Sequence, residues 1–597
     1  MRYAAALVFG LALMIVPAFC QAQTLADRLP DDTVIYVGWK GVDSLGPDYE
    51  QSHSKAIADA SHLRQFLGDS LPRLVHRIGD YDPQSAEAID AALQIAGDLA
   101  RHPSALYVGP LDTANAQMPI PRIAILCDAG VDAPAMAKAV ADFIAKVPPG
   151  ANIHCNTVDQ RVIISTFDFP DQPQTALAAN PNFQSAFSQL GKDPVASLYL
   201  NGIAMNAVID QMFDKFADPS VKAVWRPIRD ALGLAGLQRV AWTSGLDGKN
   251  WVDQGFIQAP APRHGFLAMV GTEPISDDLV KLIPESSTIA GAGAFDFNPL
   301  LNVILTAARQ AAPDNAQQID SIAQTANQML GVDLQKDVLG LFGSQWVYYV
   351  DPTKTGSGSL GFVGMNRPKD AARLDASLTN LGTAVNNLIR QPLGEKKLTL
   401  EFRETTVNGV QIHYFAAPAL SPAWAIKDGT LYFALYPQSV VAAIQRQPDG
   451  QSILDNPEYQ RVQSNLGSDH PDFAKLDGFT FVDLSRTIPQ SYGSWLFASQ
   501  LYVGLGDLFG LQSPPMVLPP LDTILAQIEP AGSISWTDDA GFHMKTVSPF
   551  PGSEMLGADA AAGGYLFQAA SAAGPTLLPM FTHGLVYSPP AGATEVK

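Results

Sequence analysis

The chain has 597 residues with 38 Lys+Arg against 58 Asp+Glu, a formal net charge of −20. Such a polyanion repels phosphate backbones and anionic bilayers, which excludes nucleic acid and electrostatic membrane attachment as leading functions. At 47% hydrophobic and only 16% charged it is too apolar for disorder, and its length fits several domains or one large repeated architecture.

Residues 1–22 read as a signal peptide: Arg2 supplies the positive start, Ala4 to Val16 form an apolar run, and Pro17 breaks it before cleavage near Ala22. The expected location is therefore extracytoplasmic, periplasmic or secreted. Cys20 is a poor lipidation site, because Phe19 and Pro17 stand where a small residue and a leucine are usual.

A first half, 23–275, opens with "DRLPDDTVIYVGWKGVD", and one-faced patterns predict helices over 55–78 and 84–101. The strand "RIAILC" ends at Cys127. A helix carrying Met136, Val140, Phe143 and Val147 on one face follows, then the strands "NIHC", with Cys155, and "RVIISTF". An oxidising compartment makes Cys127 and Cys155 a candidate disulfide pair; the alternative is two separate buried thiols. The half continues through "ANPNFQSAFSQLG" and "DPVASLYLNG" to a hairpin starting at Val240.

A second half, 276–557, runs through the same landmarks. "VKLIPESSTIAGAGAFD" matches the opening, and Leu374, Leu378, Leu381 and Val385 repeat the helix stripe. "QIHY" matches "NIHC", "DNPEYQRVQSNLG" matches "ANPNFQSAFSQLG", and Trp536-Thr537 match Trp242-Thr243. Alternating strands and a turn at Asn408-Gly409 point to antiparallel pairing. The expected fold is α+β, two tandem related halves, each a mainly antiparallel sheet covered by helices. Residues 558–597 form an apolar tail interrupted by Gly and Pro; its stretch Ala560–Thr582 has no charged residue, and membrane contact, if any, is expected only there.

The opening "LPxxTxxYV" unit, the segment "GVDLQKDVLGLFGSQWVYYV", the paired strands "NGVQIHYF…AIKDGTLYFAL" and the "DNPEYQ" helix together resemble a family of exported bacterial proteins classified only as a domain of unknown function. That resemblance implies an extracytoplasmic place and supplies no catalytic residues.

Chemistry-bearing motifs are weak. The histidines form no H-E-x-x-H and no i, i+4 pair, and there is no C-x-x-C, so no metal site is predicted. His154 and His413, each after Ile, occupy matching places and read as structural. Gly356, Gly358 and Gly361 satisfy G-x-G-x-x-G but lie between two predicted strands, a hairpin loop and not a nucleotide fingerprint. Ser52 with Lys55, Tyr199 with Asn201, and Lys354-Thr355-Gly356 recapitulate the triplets of a penicillin-recognising serine acyl hydrolase. Asp31-Asp32, Asp277-Asp278 and Asp538-Asp539 sit where Asp caps turns and helices. The leading expectation is a non-enzymatic binding or scaffolding protein of the cell envelope, with an unknown envelope protein or apolar ligand as partner and no cofactor. An apolar-ligand or lipid carrier is the alternative, and the serine hydrolase the second.

Overall fold

The computed structural model describes residues 25–553 apart from 81–82, 113–120, 147–151, 192–193, 217–218, 357–358, 396–399, 418–419, 447–449, 467–475, 509 and 513–515. The expected signal peptide and the expected tail 558–597 lie outside the described residues.

The fold is α+β. The first half contributes β1 (Ile35–Trp39), β2 (Ser104–Leu111), β3 (Pro121–Asp128), β4 (His154–Val158), β5 (Arg161–Ser165), β6 (Ala196–Asn201), β7 (Arg239–Asp247) and β8 (Asn250–Gln258). The second contributes β9 (Ile289–Ala294), β10 (Gln345–Val350), β11 (Phe362–Asn366), β12 (Glu401–Val407), β13 (Val410–Ala416), β14 (Ala423–Lys427), β15 (Thr430–Ala434), β16 (Gly478–Val482), β17 (Ala531–Thr537) and β18 (Gly541–Ser548). Their spatial orders are β4-β5-β3-β2-β1-β6-β7-β8 and β14-β15-β11-β10-β9-β16-β17-β18, antiparallel at every pairing. The two orders correspond strand for strand, and the β12–β13 hairpin extends the second beyond β14.

The halves do not keep separate sheets. β8 pairs with β18 from Trp251↔Ser548 to Gln258↔Gly541, so 18 strands form one sheet. Each half ends on a hairpin whose last strand would otherwise present a row of unpaired amides and carbonyls; pairing the two removes both edges.

A duplicated clasp sets the start of each half. Asn180 caps the helix that follows it and donates its side-chain amide to the Asp31 carbonyl at 3.2 Å, while Asn456 donates to the Glu285 carbonyl at 2.7 Å. Gln184 reaches back to the Ala178 carbonyl and Gln460 to the Leu454 carbonyl, each at 2.8 Å. The repeated N-P-x-x-Q spelling in the two matched segments is therefore a device tying a helix to the opening turn. Asn456→Ala is expected to lower stability by about 1–2 kcal/mol, the loss of a helix cap, with Asn456→Asp recovering the cap but not the amide donated to Glu285. Denaturant midpoints of the two variants check this.

One sheet face is closed. On it Tyr107, Tyr36 and Tyr199 stand directly opposite one another across β2, β1 and β6, all fully buried. Tyr36 meets Phe183 edge-on at 5.6 Å. The ring of Tyr36 folds over Gly38, whose added Cβ would sit 2.0 Å from the tyrosine hydroxyl, so only glycine fits there. Helix α6 (Pro181–Phe187) seals this face in the first half; α13 (Pro437–Gln445) and α14 (Pro457–Leu466) seal it in the second over Phe479, Phe481, Val347 and Met365.

The other face is covered only towards its ends. Helix α5 (Ala133–Lys146) brings Met136, Val140 and Phe143 onto β3 and β5, and α12 (Ala371–Glu395) brings Leu374, Leu378 and Leu381 onto β14 and β15. The remaining helices form two arms at opposite ends of the strands. At one, α7 (Gly202–Phe216) and α8 (Pro219–Ala231) follow β6, and α10 (Leu300–Ala311) and α11 (Ala316–Leu330) follow β9; α8 packs on α10. At the other, α1 (Gly46–Glu50), α2 (His53–Ala60), α3 (Leu63–Gly79) and α4 (Pro83–Arg101) follow β1, and α15 (Leu484–Leu508) follows β16, with α16 (Leu521–Leu525) against it. There Phe66 of α3 meets Tyr502 of α15 at 6.5 Å, and Arg73 donates to the Gln512 carbonyl at 2.5 Å. Each arm thus takes helices from both halves.

Two expected matches between the halves are corrected. Trp242 lies on the open face, opposite Leu198 and Gly255, whereas Trp536 packs on the closed-face core opposite His543. A shift of one residue in a strand reverses every side chain, so the shared Trp-Thr spelling hides a register difference. His154 and His413 are not equivalent either: β4 corresponds to β14, and His413 stands on the added strand β13.

Candidate binding surface

Between α5 and α12 the open face carries two rows of directly opposed side chains. The first is Leu106, Val37, Leu198 and Trp242, joined by Val108, Ile35, Leu200 and Val240 one step along; all are half-buried. The second is Ser244, Asp253, Thr546, Ser533 and Thr480, crossing the β8–β18 junction. An apolar floor in the first half thus runs beside a hydroxyl-lined track that reaches into the second, where Thr480 and Ser533 hydroxyls lie 2.7 Å apart.

Asp253 is the chemically unusual member of the track. Its Oδ1 accepts from the Trp251 indole at 3.2 Å, from the Trp242 indole at 3.4 Å and from the Ser244 hydroxyl. Burial pushes its carboxyl above the usual range, against the lowering effect of those three donors. Among the described residues neither a histidine nor a lysine hydrogen-bonds this carboxylate, and Ser244 spends its proton on Asp253, so the cluster is a positioned acceptor and not a nucleophile with its base.

Two crevices lie elsewhere, the larger of them an ion-pair network. One of about 680 Å³ lies where α8 meets α10, lined by Arg226, Asp230 and Arg309 with Pro227, Pro313 and Ala316. Asp210 and Asp214 neutralise Arg226, and Asp320 holds Arg309 at 2.6 Å. With its arginines matched by acids, this crevice has no net attraction for an anion. A smaller one of about 220 Å³ beside it is lined by Gly233, Pro262, Arg263 and His264.

The hydrolase triplets do not converge. Ser52 caps α2, donating to the Tyr49 carbonyl at 2.7 Å and accepting from the Lys55 amide. Lys55 is paired with Asp59 at 2.5 Å, which holds its ammonium above the ordinary range, the reverse of an activated base. Tyr199 belongs to the closed-face core, Asn201 caps the start of α7, and Lys354-Thr355-Gly356 lies in the β10–β11 hairpin loop of the other half. That loop also holds Gly361, and Gly358 lies outside the described residues.

Other candidates resolve structurally. His413 stacks on Trp424 at 4.9 Å and faces Asp375 and Glu404; His154 bonds Asn152 at the β4 edge. Asp32 accepts from Tyr107 at 2.8 Å and pairs with Arg122, Asp277 and Asp278 open the short helix α9 (Asp277–Val280), and Asp538 accepts from the Ala540 and Gly541 amides. Among the described residues no group of acids, histidines or cysteines is arranged to hold a metal ion.

Cys127 and Cys155 are free thiols, the first buried and the second half-buried. Strand β5 lies between them, with Cys127 opposite Val162 and Cys155 opposite Ile164. Two strand spacings and a two-residue offset put the α-carbons about 12 Å apart, beyond the ~7 Å a bridge tolerates. Sequence neighbours could not reveal the intervening strand. Burial pushes the Cys127 thiol up to about 12 and raises that of Cys155 as well. Unreduced protein should therefore yield both thiols to a maleimide after unfolding, and resist labelling at Cys127 while folded.

Residues 157–399 match a family model described as Protein of unknown function (DUF3352). The matched segment runs from β4 through the central strands to α12, and so spans the β7–β8 hairpin with Trp242, Ser244, Trp251 and Asp253. No curated protein and no solved structure matches the chain. No helix among the described residues is long and apolar enough to cross a membrane.

Proposed function

We propose that this protein is an exported, non-enzymatic binding protein of the cell envelope, whose binding surface is the open sheet face between the two helical arms. The observation that carries this reading is the contrast between the faces. Tyr36, Tyr107 and Tyr199 are fully buried on one side, while the equally apolar Ile35, Leu106, Val108, Leu198 and Leu200 on the other are only half-buried. Keeping such a floor open to water costs roughly 25 cal/mol per Å² of apolar surface, a cost recovered when a ligand or partner covers it. The signal-like residues 1–22 support the location.

The carrier reading draws on the make-up of the floor: aliphatic side chains on one side and the Ser244–Thr480 track on the other suit a molecule with an apolar body and a hydrogen-bonding end. Native mass spectrometry of protein purified from its own host separates the two. A stoichiometric lipid-sized adduct, lost when Leu198 and Leu200 are both changed to Gln, supports the carrier; protein without an adduct that retains an envelope partner through the same residues supports the scaffold. Unaltered partner and adduct binding in that variant would refute the open face as the site.

A further inference from the structure

Beside the hydroxyl track, a second row of directly opposed residues crosses the middle of the open face. It starts at Trp242 on β7, passes Gly255, Ser535, Gly478 and Gly293, and ends at Trp346 on β10. The track itself runs on from Thr480 to Gly291 and Tyr348. Together they form a trough across six strand spacings, about 29 Å, with aromatic rings at both ends and, between them, glycines, hydroxyl side chains, Met544 and Asp253.

Glycine weakens a strand, so each one here calls for a reason. Gly255, Gly291 and Gly478 make room for neighbours: an added Cβ would lie 2.7 Å from the Trp242 indole, 2.5 Å from the Tyr348 ring and 2.6 Å from the Ser535 hydroxyl. The half-buried Trp242 and Tyr348 rings thus each lie over a glycine of the neighbouring strand, with one face turned away from the sheet. Gly293 has no such reason among the described residues. Its φ is not positive, and an added Cβ would meet nothing within 4 Å. Glycine at such a place admits something from outside the chain. Asp253 also has capacity to spare: its three donors all reach Oδ1, and among the described residues none reaches Oδ2.

We infer that this trough binds a neutral oligosaccharide lying across the strands, an assignment that rests on the open face being the binding surface. A sugar has C–H-rich ring faces that stack on an indole or a phenol, and hydroxyls around its rim that need donors and acceptors; the trough sets both kinds of partner side by side. Trp242 and Tyr348 take the sugar faces, Asp253 Oδ2 and the hydroxyls of Thr546, Ser533 and Thr480 take the rim, and Gly293 allows the closest approach. Charge and hydrogen bonding decide against other chain molecules. Neither row contains Lys, Arg or His, and the chain carries −20, so a phosphorylated or uronate-rich glycan is repelled. A fatty acyl chain would cover the hydroxyl track and offer it no hydrogen bond in return. An extended peptide draws its affinity from main-chain bonds to a free strand edge, and here β8 and β18 are paired with each other.

The test is saturation-transfer NMR of the full chain with maltohexaose, cellohexaose, chitohexaose and mannohexaose in turn, and with hexagalacturonate as the anionic control. Transfer to at least one neutral sugar and none to hexagalacturonate is expected. Gly293→Val fills the open space without displacing a neighbour, and should abolish that transfer while leaving the denaturant midpoint unchanged. Trp242→Leu should weaken the affinity about tenfold, the size of one lost stacking contact. Transfer to none of the neutral sugars overturns the inference, as does transfer that survives both substitutions, or equal transfer to hexagalacturonate. The open-face reading fails separately: if no sugar binds while Leu198→Gln with Leu200→Gln still abolishes binding of an envelope partner or a lipid adduct, the face is the site and its ligand is not a glycan.

Discussion

Tyr36→Ala is expected to lower unfolding stability by about 3–5 kcal/mol, the range for deleting a large aromatic side chain from a packed core. Tyr36 has no exposed surface, stands opposite Tyr107 on one side and Tyr199 on the other, and meets Phe183 edge-on. Removing its ring opens a cavity at the one place where the opening strand, its two neighbours and α6 all meet, and leaves Gly38 without the ring that covers it. Urea denaturation followed by far-UV circular dichroism measures the loss. Tyr36→Phe separates the ring from the hydroxyl, and should cost far less. A loss below about 1 kcal/mol for Tyr36→Ala would mean that the tyrosine row is not a packed core.

Asp253 should give the second large effect, with opposite signs for two substitutions. Asp253→Ala leaves the Trp251 and Trp242 indoles and the Ser244 hydroxyl without their common acceptor; at about 1–3 kcal/mol for a buried polar group left unpaired, a loss of roughly 3 kcal/mol or more is expected. Asp253→Asn keeps a carbonyl oxygen for the same donors and removes the buried charge. The folded-state carboxyl is pushed up by burial, so it favours the fold when protonated, below the ordinary Asp range, and that contribution is lost as pH rises through the folded value. At neutral pH the ionised group is a cost that Asn avoids. The Asn variant should therefore match or exceed the parent at pH 7, and its advantage should vanish towards about pH 4. Denaturant midpoints of all three proteins at both pH values decide it; an Asn variant weaker than the parent at pH 7 would contradict the assignment.

What the amino-acid sequence discloses is what repeats locally. The stripes Met136–Val140–Phe143 and Leu374–Leu378–Leu381 announce α5 and α12 and the faces they bury, because helical periodicity needs no knowledge of the partner surface. The N-P-x-x-Q segments mark the clasps for the same reason: the Gln bonds and the Asn caps are local, and one Asn amide in each reaches the matched opening turn. Strand pairing is different. Nothing near Cys127 or Cys155 signals that β5 will lie between them, and Trp242 and Trp536 share a spelling while facing opposite ways. The added hairpin β12–β13 places "QIHY" one strand beyond the counterpart of the strand that carries "NIHC".

The binding surface was illegible for a related reason. Ile35, Leu106, Leu198 and Val240 alternate with the tyrosine row as near-continuous apolar runs, which fits strands buried on both faces as well as on one. Only the placement of helices at the strand ends, and not over the middle of the sheet, leaves one face open. Asp253 offered a faint local sign in the Trp-x-Asp alternation at 251–253, but two of its three donors come from the neighbouring strand.

The central claim is that both halves share one sheet, so that one open face crosses from the first to the second through β8 and β18. Hydrogen exchange resolved at the amides of residues 251–257 and 542–547 tests it most directly. The paired seam predicts protection there comparable with that of β1 and β9 inside each half, since the amides are then committed to interstrand bonds. Fast exchange at the alternate amides of β8 and β18 that are not bonded to β7 and β17, with β1 and β9 still protected, would mean that the halves end in free edges and that the face described here is not continuous.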